Sequence, residues 1–217
     1  MLKKVGLFLL GLVAVFVVVV ATRPDDFRLE RRITMAAPPA AIFGLVNDFH
    51  LWQNWSPWDK LDPKQKTEHS GPGSGTGASY YWLGNDQVGE GRMTITESVP
   101  ASRITIKLEF LKPWKAENIT TFTFRESAGT TEVTWAMEGK NNFMFKAMQL
   151  FMSMDSMVGK DFENGLAALK GLAETEAKRL AEAEAKRVAA VPPPAPAPAP
   201  AVTVEIGNPP PAAGAAQ

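Results

Sequence analysis

The chain has 217 residues, the size of one domain with appendages, and its 23 basic and 23 acidic side chains leave no net charge at neutral pH. That balance argues against a body held on nucleic acid by counterion release. The absence of cysteine excludes disulfides, thiolate metal sites and cysteine nucleophiles.

Residues 5–21, VGLFLLGLVAVFVVVVA, contain no charged or strongly polar side chain. As a helix they would span about 26 Å, short but sufficient for a membrane crossing. Two readings are open: a retained anchor over residues 1–22, or a cleaved secretory signal with Lys3 and Lys4 as its basic start. The run stays valine-rich up to Ala21, with only Val19-Val20-Ala21 as a cleavage site, and this favours the anchor. Orientation signals conflict. Arg23, Arg28, Arg31 and Arg32 draw the body towards the cytoplasm, whereas a very short tail before the apolar run is how an exported, signal-anchored domain begins. The expectation is a single pass through the cytoplasmic (inner) membrane with the body on the periplasmic side.

After a stalk at 23–26, the body runs over 27–172. Its first strand, 27–35, alternates Phe27, Leu29, Ile33 and Met35 with charged residues. Pro38-Pro39 opens a helix over 40–47, where a missing N–H is no loss. An irregular aromatic segment follows, Phe49 to Trp58, and then a loop at 61–77 with a short strand near 66–69. Strands are expected at 78–83, 88–97, 103–110, 117–126 and 131–138, joined by short turns as in an antiparallel meander. Glycines at 84, 89 and 91 raise the possibility of a phosphate cradle. No Lys-Ser/Thr follows Gly91, however, and residues 92–96 alternate like a strand, so this stretch reads as a hairpin. From 143 to 190 the pattern is helical, with an interruption expected near 153–160 and an apolar stripe of Phe162, Leu166, Leu169 and Leu172. Beyond Leu172 the stripe thins and Glu174 with Lys178 and Glu182 with Lys186 stand at i,i+4. A charged helical extension is therefore expected over 173–190. Residues 191–217, almost all Ala, Pro, Val and Gly, read as a disordered or polyproline-like tail.

This order resembles the helix-grip fold of the START-like (SRPBCC), polyketide cyclase and plant-allergen superfamily. The resemblance implies an α+β fold in which a curved antiparallel sheet wraps a long C-terminal helix and encloses an apolar cavity. It is sharpest at Trp52-Gln53-Asn54-Trp55-Ser56-Pro57-Trp58, at Tyr80-Tyr81-Trp82 with Gly84-Asn85 and Val88-Gly89-Glu90-Gly91-Arg92-Met93, and at Phe162-Glu163-Asn164-Gly165-Leu166 with Leu169-Lys170. Together these resemble a single-span, membrane-anchored bacterial branch labelled polyketide cyclase or dehydrase, over 27–172. Members of the superfamily range from lipid carriers and hormone receptors to a few true cyclases, so the label names ancestry.

No catalytic constellation stands out. The two histidines, His50 and His69, lie in different loops without metal-ligand spacing, so neither a metal nor another cofactor is expected. Asp48 with His50, or Asp59 with Asp62, could form acid–base pairs, but helix capping and loop solvation are the stronger explanation of these acids. Ser74 lacks a nucleophile elbow. Strand parity instead nominates cavity-lining residues: Met93 and Ile95, Phe122 and Phe124, and Trp135 and Met137 beside Val133. Trp82 joins them if Tyr80 and Trp82, rather than Tyr81 and Leu83, face inward. Phe162 represents the helix. Met148 represents the methionine-rich stretch 143–157, whose Met144, Met148 and Met152 share a face suited to varied apolar ligands, to core packing or to the bilayer.

The expected function is membrane-tethered binding or transfer of a hydrophobic, lipid-like small molecule, with the N-terminal helix in the membrane, no nucleic acid partner and no covalent chemistry. A cyclase or dehydrase would need a convergent polar group, for which Tyr80, Tyr81, Arg92 and Glu97 are the candidates. An envelope scaffold or interaction protein is the third class.

Overall fold

The computed structural model describes residues 2–189; the expected tail at 191–217 lies outside them. Helix α1 (Leu2–Ala21) stands almost entirely exposed and is long and apolar enough to cross a membrane. Strand β1 (Asp26–Met35) follows, then α2 (Pro39–Asn47), with Pro39 in its first turn. Two 3-10 turns, Phe49–Asn54 and Trp58–Lys60, form the aromatic segment. Six further strands complete the sheet: β2 (Lys66–Ser70), β3 (Ser79–Leu83), β4 (Glu90–Val99), β5 (Arg103–Lys112), β6 (Ala116–Ser127) and β7 (Thr130–Lys140). A short helix α3 (Phe143–Met148) precedes the long α4 (Met154–Ala189).

The seven strands form one antiparallel sheet in the order β1-β7-β6-β5-β4-β3-β2, with α4 lying against β1. This is the α+β helix-grip arrangement that the sequence predicts. Period-two alternation is plain in β6, where Asn118, Thr120, Phe122 and Phe124 are buried and their neighbours are not. Register shifts at Glu90/Gly91 and at Ile95/Glu97 leave Leu111 and Thr96 without partners. These bulges bend the sheet around the helix.

Three local expectations need correction. The helical break falls at residues 149–153, earlier than expected, because the Ser153 hydroxyl accepts from Ser156 N at 3.0 Å and caps α4. Arg31 shares the inward parity of Phe27 and Leu29 instead of joining the solvent face, and it binds Asp155 and Glu163 (3.0 Å) on α4. Glu174 reaches back to Ala36 N at 2.8 Å and pairs with Lys170 at 3.6 Å, while the extension is laced by Glu176–Arg179 and Glu184–Arg187 at i,i+3.

Arg31 holds the Glu163 carboxyl below its usual value of 4.5, with Lys160 a lesser contributor. A depressed carboxylate contributes stability above its ordinary pKa, and that contribution is lost as pH falls through the folded value. The thermal midpoint of the full chain in detergent should therefore hold steady from neutral pH and begin to fall below about pH 4.5. Arg31→Leu should flatten part of that acid slope; an unchanged slope would show that the pair contributes nothing.

Candidate functional site

Tyr80 and Trp82 face into the grip and Tyr81 faces out. The choice is settled by Gly91, the partner of Trp82 across the β3–β4 ladder. A Cβ on Gly91 would run into the Trp82 indole and stand 2.6 Å from the Glu109 carbonyl oxygen. The hairpin turn is closed by Asn85, whose side chain accepts from Gln87 N at 2.9 Å, and Gly89 takes a φ of 65°. The glycines thus serve close approach and turning. Gly91→Ala is expected to cost about 1–3 kcal/mol as an overpacking change and to push the indole off its bond to Val88 O, 3.0 Å away. A thermal melt of the full chain in detergent checks this.

Between the sheet and α4 lies a cavity of about 250 Å³. Its wall is mainly apolar, with Trp82, Met93, Leu108, Met137, Val158 and Phe162 prominent. One indole anchors it: Trp135 stacks on Phe162 with ring centroids 4.1 Å apart and on Phe122 at 4.8 Å, and donates to Thr120 Oγ1 at 2.9 Å. Gly165 lets α4 come this close, since a Cβ there would stand 2.9 Å from the Trp135 ring.

Of the nine residues nominated from sequence, Trp82, Met93, Trp135, Met137 and Phe162 line this cavity. Ile95, Phe122 and Phe124 do not. They point inward but are buried in solid core, where Phe43 packs on Phe124 at 5.8 Å and Trp52 and Trp55 each stand 6.1 Å from Phe122. Met148 is half-buried on α3, outside the cavity wall.

A linked polar group also lines the cavity, beside Ser56, Gln87 and Thr120. Tyr80 donates its hydroxyl to Asp59 Oδ1 at 3.1 Å, and Gln65 donates to the same oxygen at 2.8 Å. Burial pushes the Tyr80 phenol up, with the Asp59 charge adding to the effect. Tyr80 is therefore a neutral donor at ordinary pH. The other polar candidates lie outside the grip: Tyr81 donates to Glu90 at 2.9 Å, the Arg92 guanidinium sits 6.0 Å from the Tyr81 ring, and Glu97 binds Arg103 at 2.7 Å. Sequence reasoning missed Gln65 and the role of Asp59, because the bond to Tyr80 spans 21 positions and no local pattern announces it. Asp62 ties Asn85 N at 2.8 Å, and Asp48 caps the first 3-10 turn through His50 N at 2.9 Å. His50 and His69, read as lying apart, stack with centroids 4.0 Å apart. No cluster of three metal-ligating side chains forms among the described residues.

A second cavity of about 170 Å³ opens near the start of α4, lined by Phe27, Trp114, Phe145, Met154 and Met157 among others. It shares Phe110, Met137 and Val158 with the first. Ligand pockets usually measure ~300–1,000 Å³. Neither cavity alone reaches that range.

No curated protein matches the chain. Among solved structures, the di-domain ARO/CYC StfQ from the steffimycin biosynthetic pathway superimposes with a TM-score of 0.54 at 11% identity, covering 71% of this chain and 52% of that one. A protein from Nitrosospira multiformis gives 0.50 at 17% identity, covering 70% and 99%. The Aha1 dimer from Colwellia psychrerythraea gives 0.50 at 15% identity, covering 68% and 96%. These likenesses speak for the fold. The family described as polyketide cyclase / dehydrase and lipid transport matches residues 26–174, which include every strand and the part of α4 that the sheet grips. The chain belongs to that family.

Proposed function

We propose that the protein holds a hydrophobic, lipid-like small molecule without covalent chemistry and exchanges it with the membrane that α1 anchors. The observation that carries this reading is the mainly apolar cavity with a hydrogen-bonded polar group, Asp59, Gln65 and Tyr80, in its wall, which suits an amphiphile whose head donates or accepts a hydrogen bond. The family description, lipid transport included, supports it. We divide the chain accordingly into an anchor (1–22), a stalk (23–26), the ligand domain (27–172), a charged helical extension (173–190) and a tail (191–217), and place the body on the periplasmic side.

The test is native mass spectrometry of the full chain extracted gently from its host membrane. A stoichiometric amphiphile is expected; an empty protein that also refuses a fluorescent fatty acid would overturn the reading. A cyclase or dehydrase role is the second reading, favoured by the convergence of Tyr80 on Asp59 inside the cavity. It requires turnover that Tyr80→Phe removes, whereas a carrier releases its passenger chemically unchanged in the wild type and in that variant alike.

A further inference from the structure

The junction between α1 and the body is stapled. Val20 is fully buried and α1 packs on α3. The Asp25 carbonyl accepts from Asn141 N at 2.6 Å, the Pro24 carbonyl accepts from Asn141 Nδ2 at 3.3 Å, and the Lys146 ammonium pairs with the Asp25 carboxylate. A helix seated in a bilayer therefore fixes which end of the body faces the lipid.

Sheet register says which end that is. Asp26 pairs with Lys140, Asn118 with Gly139 and Phe110 with Ala116, so the β5–β6 turn and the start of α3 gather where α1 arrives. Here the surface is unusually apolar. Trp114 is 59% exposed, Phe143 50%, Met144 64%, Phe151 81% and Met152 50%. Large apolar side chains grouped in this way mark an interaction surface, and tryptophan and methionine suit a headgroup boundary. Exposed Lys112, Lys115 and Lys140 flank the group, with stems long enough to keep their ammonium groups in water. The second cavity opens at this same end, with Trp114 and Phe145 in its wall.

We propose that this apolar rim rests in the interface of the bilayer that holds α1, and that the second cavity is the port through which a lipid chain passes between bilayer and interior across Phe110, Met137 and Val158. The occupant of the rim is the lipid surface itself, and the inference rests on the anchored-carrier reading above. Entry by this route keeps the chain out of water throughout.

The cysteine-free sequence allows single labels. The full chain, carrying an environment-sensitive fluorophore on L12C, M144C, F151C or S127C, is reconstituted into phosphatidylcholine vesicles containing nitroxide-labelled lipid. Ser127, in the β6–β7 hairpin, marks the far end of the sheet. Labels at 12, 144 and 151 should shift to the blue and lose about half or more of their emission, as for probes ~5–10 Å into the headgroup boundary or deeper, while the label at 127 should stay bright. Quenching at 12 with labels 144 and 151 matching 127 would sink the inference and leave the anchor standing. Bright labels at all four sites would sink both. The port has its own readout: in Met144→Glu/Phe151→Glu, uptake of a fluorescent fatty acid from vesicles should slow severalfold while uptake of the same probe free in solution is unchanged. Wild-type rates from both sources would overturn the port.

Discussion

Leu108→Trp should empty the protein. Leu108 projects from β5 into the first cavity and is only half-buried, so the space around it is available to a larger ring. An indole there would occupy much of the volume that a ligand needs, and the affinity of the full chain for its ligand should fall at least tenfold, about 1.4 kcal/mol. Stability should change little, because filling a void avoids the ~1–3 kcal/mol that overpacking a tight core costs. Native mass spectrometry reports occupancy and a thermal melt of the same sample reports stability. Full occupancy with an unchanged melt would place the ligand elsewhere, while a collapsed melt would show that the space was already filled.

Trp135→Ala should have the largest effect on folding. The indole is 2% exposed, sandwiched between Phe122 and Phe162, and is the main aromatic link between β7 and α4. Removing it should cost about 3–5 kcal/mol, which for a chain of this size lowers the thermal midpoint by roughly 10 °C or more. Trp135→Phe keeps most of the packing and loses the bond to Thr120. Thr120 Oγ1 still donates to the Ala136 carbonyl at 2.8 Å, so this variant should lose only about 1 kcal/mol. Equal losses in the two variants would mean that the hydrogen bond, and not the stacking, carries the contact.

Much of this architecture was legible in the sequence, for a physical reason. Strand alternation in β1, β6 and β7 reports burial on one face, and burial on one face is what an antiparallel sheet around a helix requires. The limits were equally physical. Parity says that Ile95, Phe122 and Phe124 point inward, but not that α2 and the aromatic segment fill the space above them. Tyr80-Tyr81-Trp82 is aromatic on both parities, and only the missing side chain at Gly91, on another strand, decides its sense. Asp59 and Gln65 sit in a stretch whose composition reads as loop, and they join the cavity through Tyr80, a residue distant in sequence.

The direction of α4 has a consequence of its own. It begins beside the second cavity and passes the far end of β1, where Lys170 donates to the Thr34 carbonyl at 2.9 Å, before leaving the body past Ala177. Its 36 residues amount to about 54 Å of rod. On the proposed placement of the α1 end in the bilayer, the last turns of the rod would point away from it. They would then stand several Debye lengths, each about 8 Å at physiological salt, from the headgroups. A molecule that docks on those turns would not sense the surface potential of the membrane, so its association should be indifferent to whether the lipids are neutral or anionic.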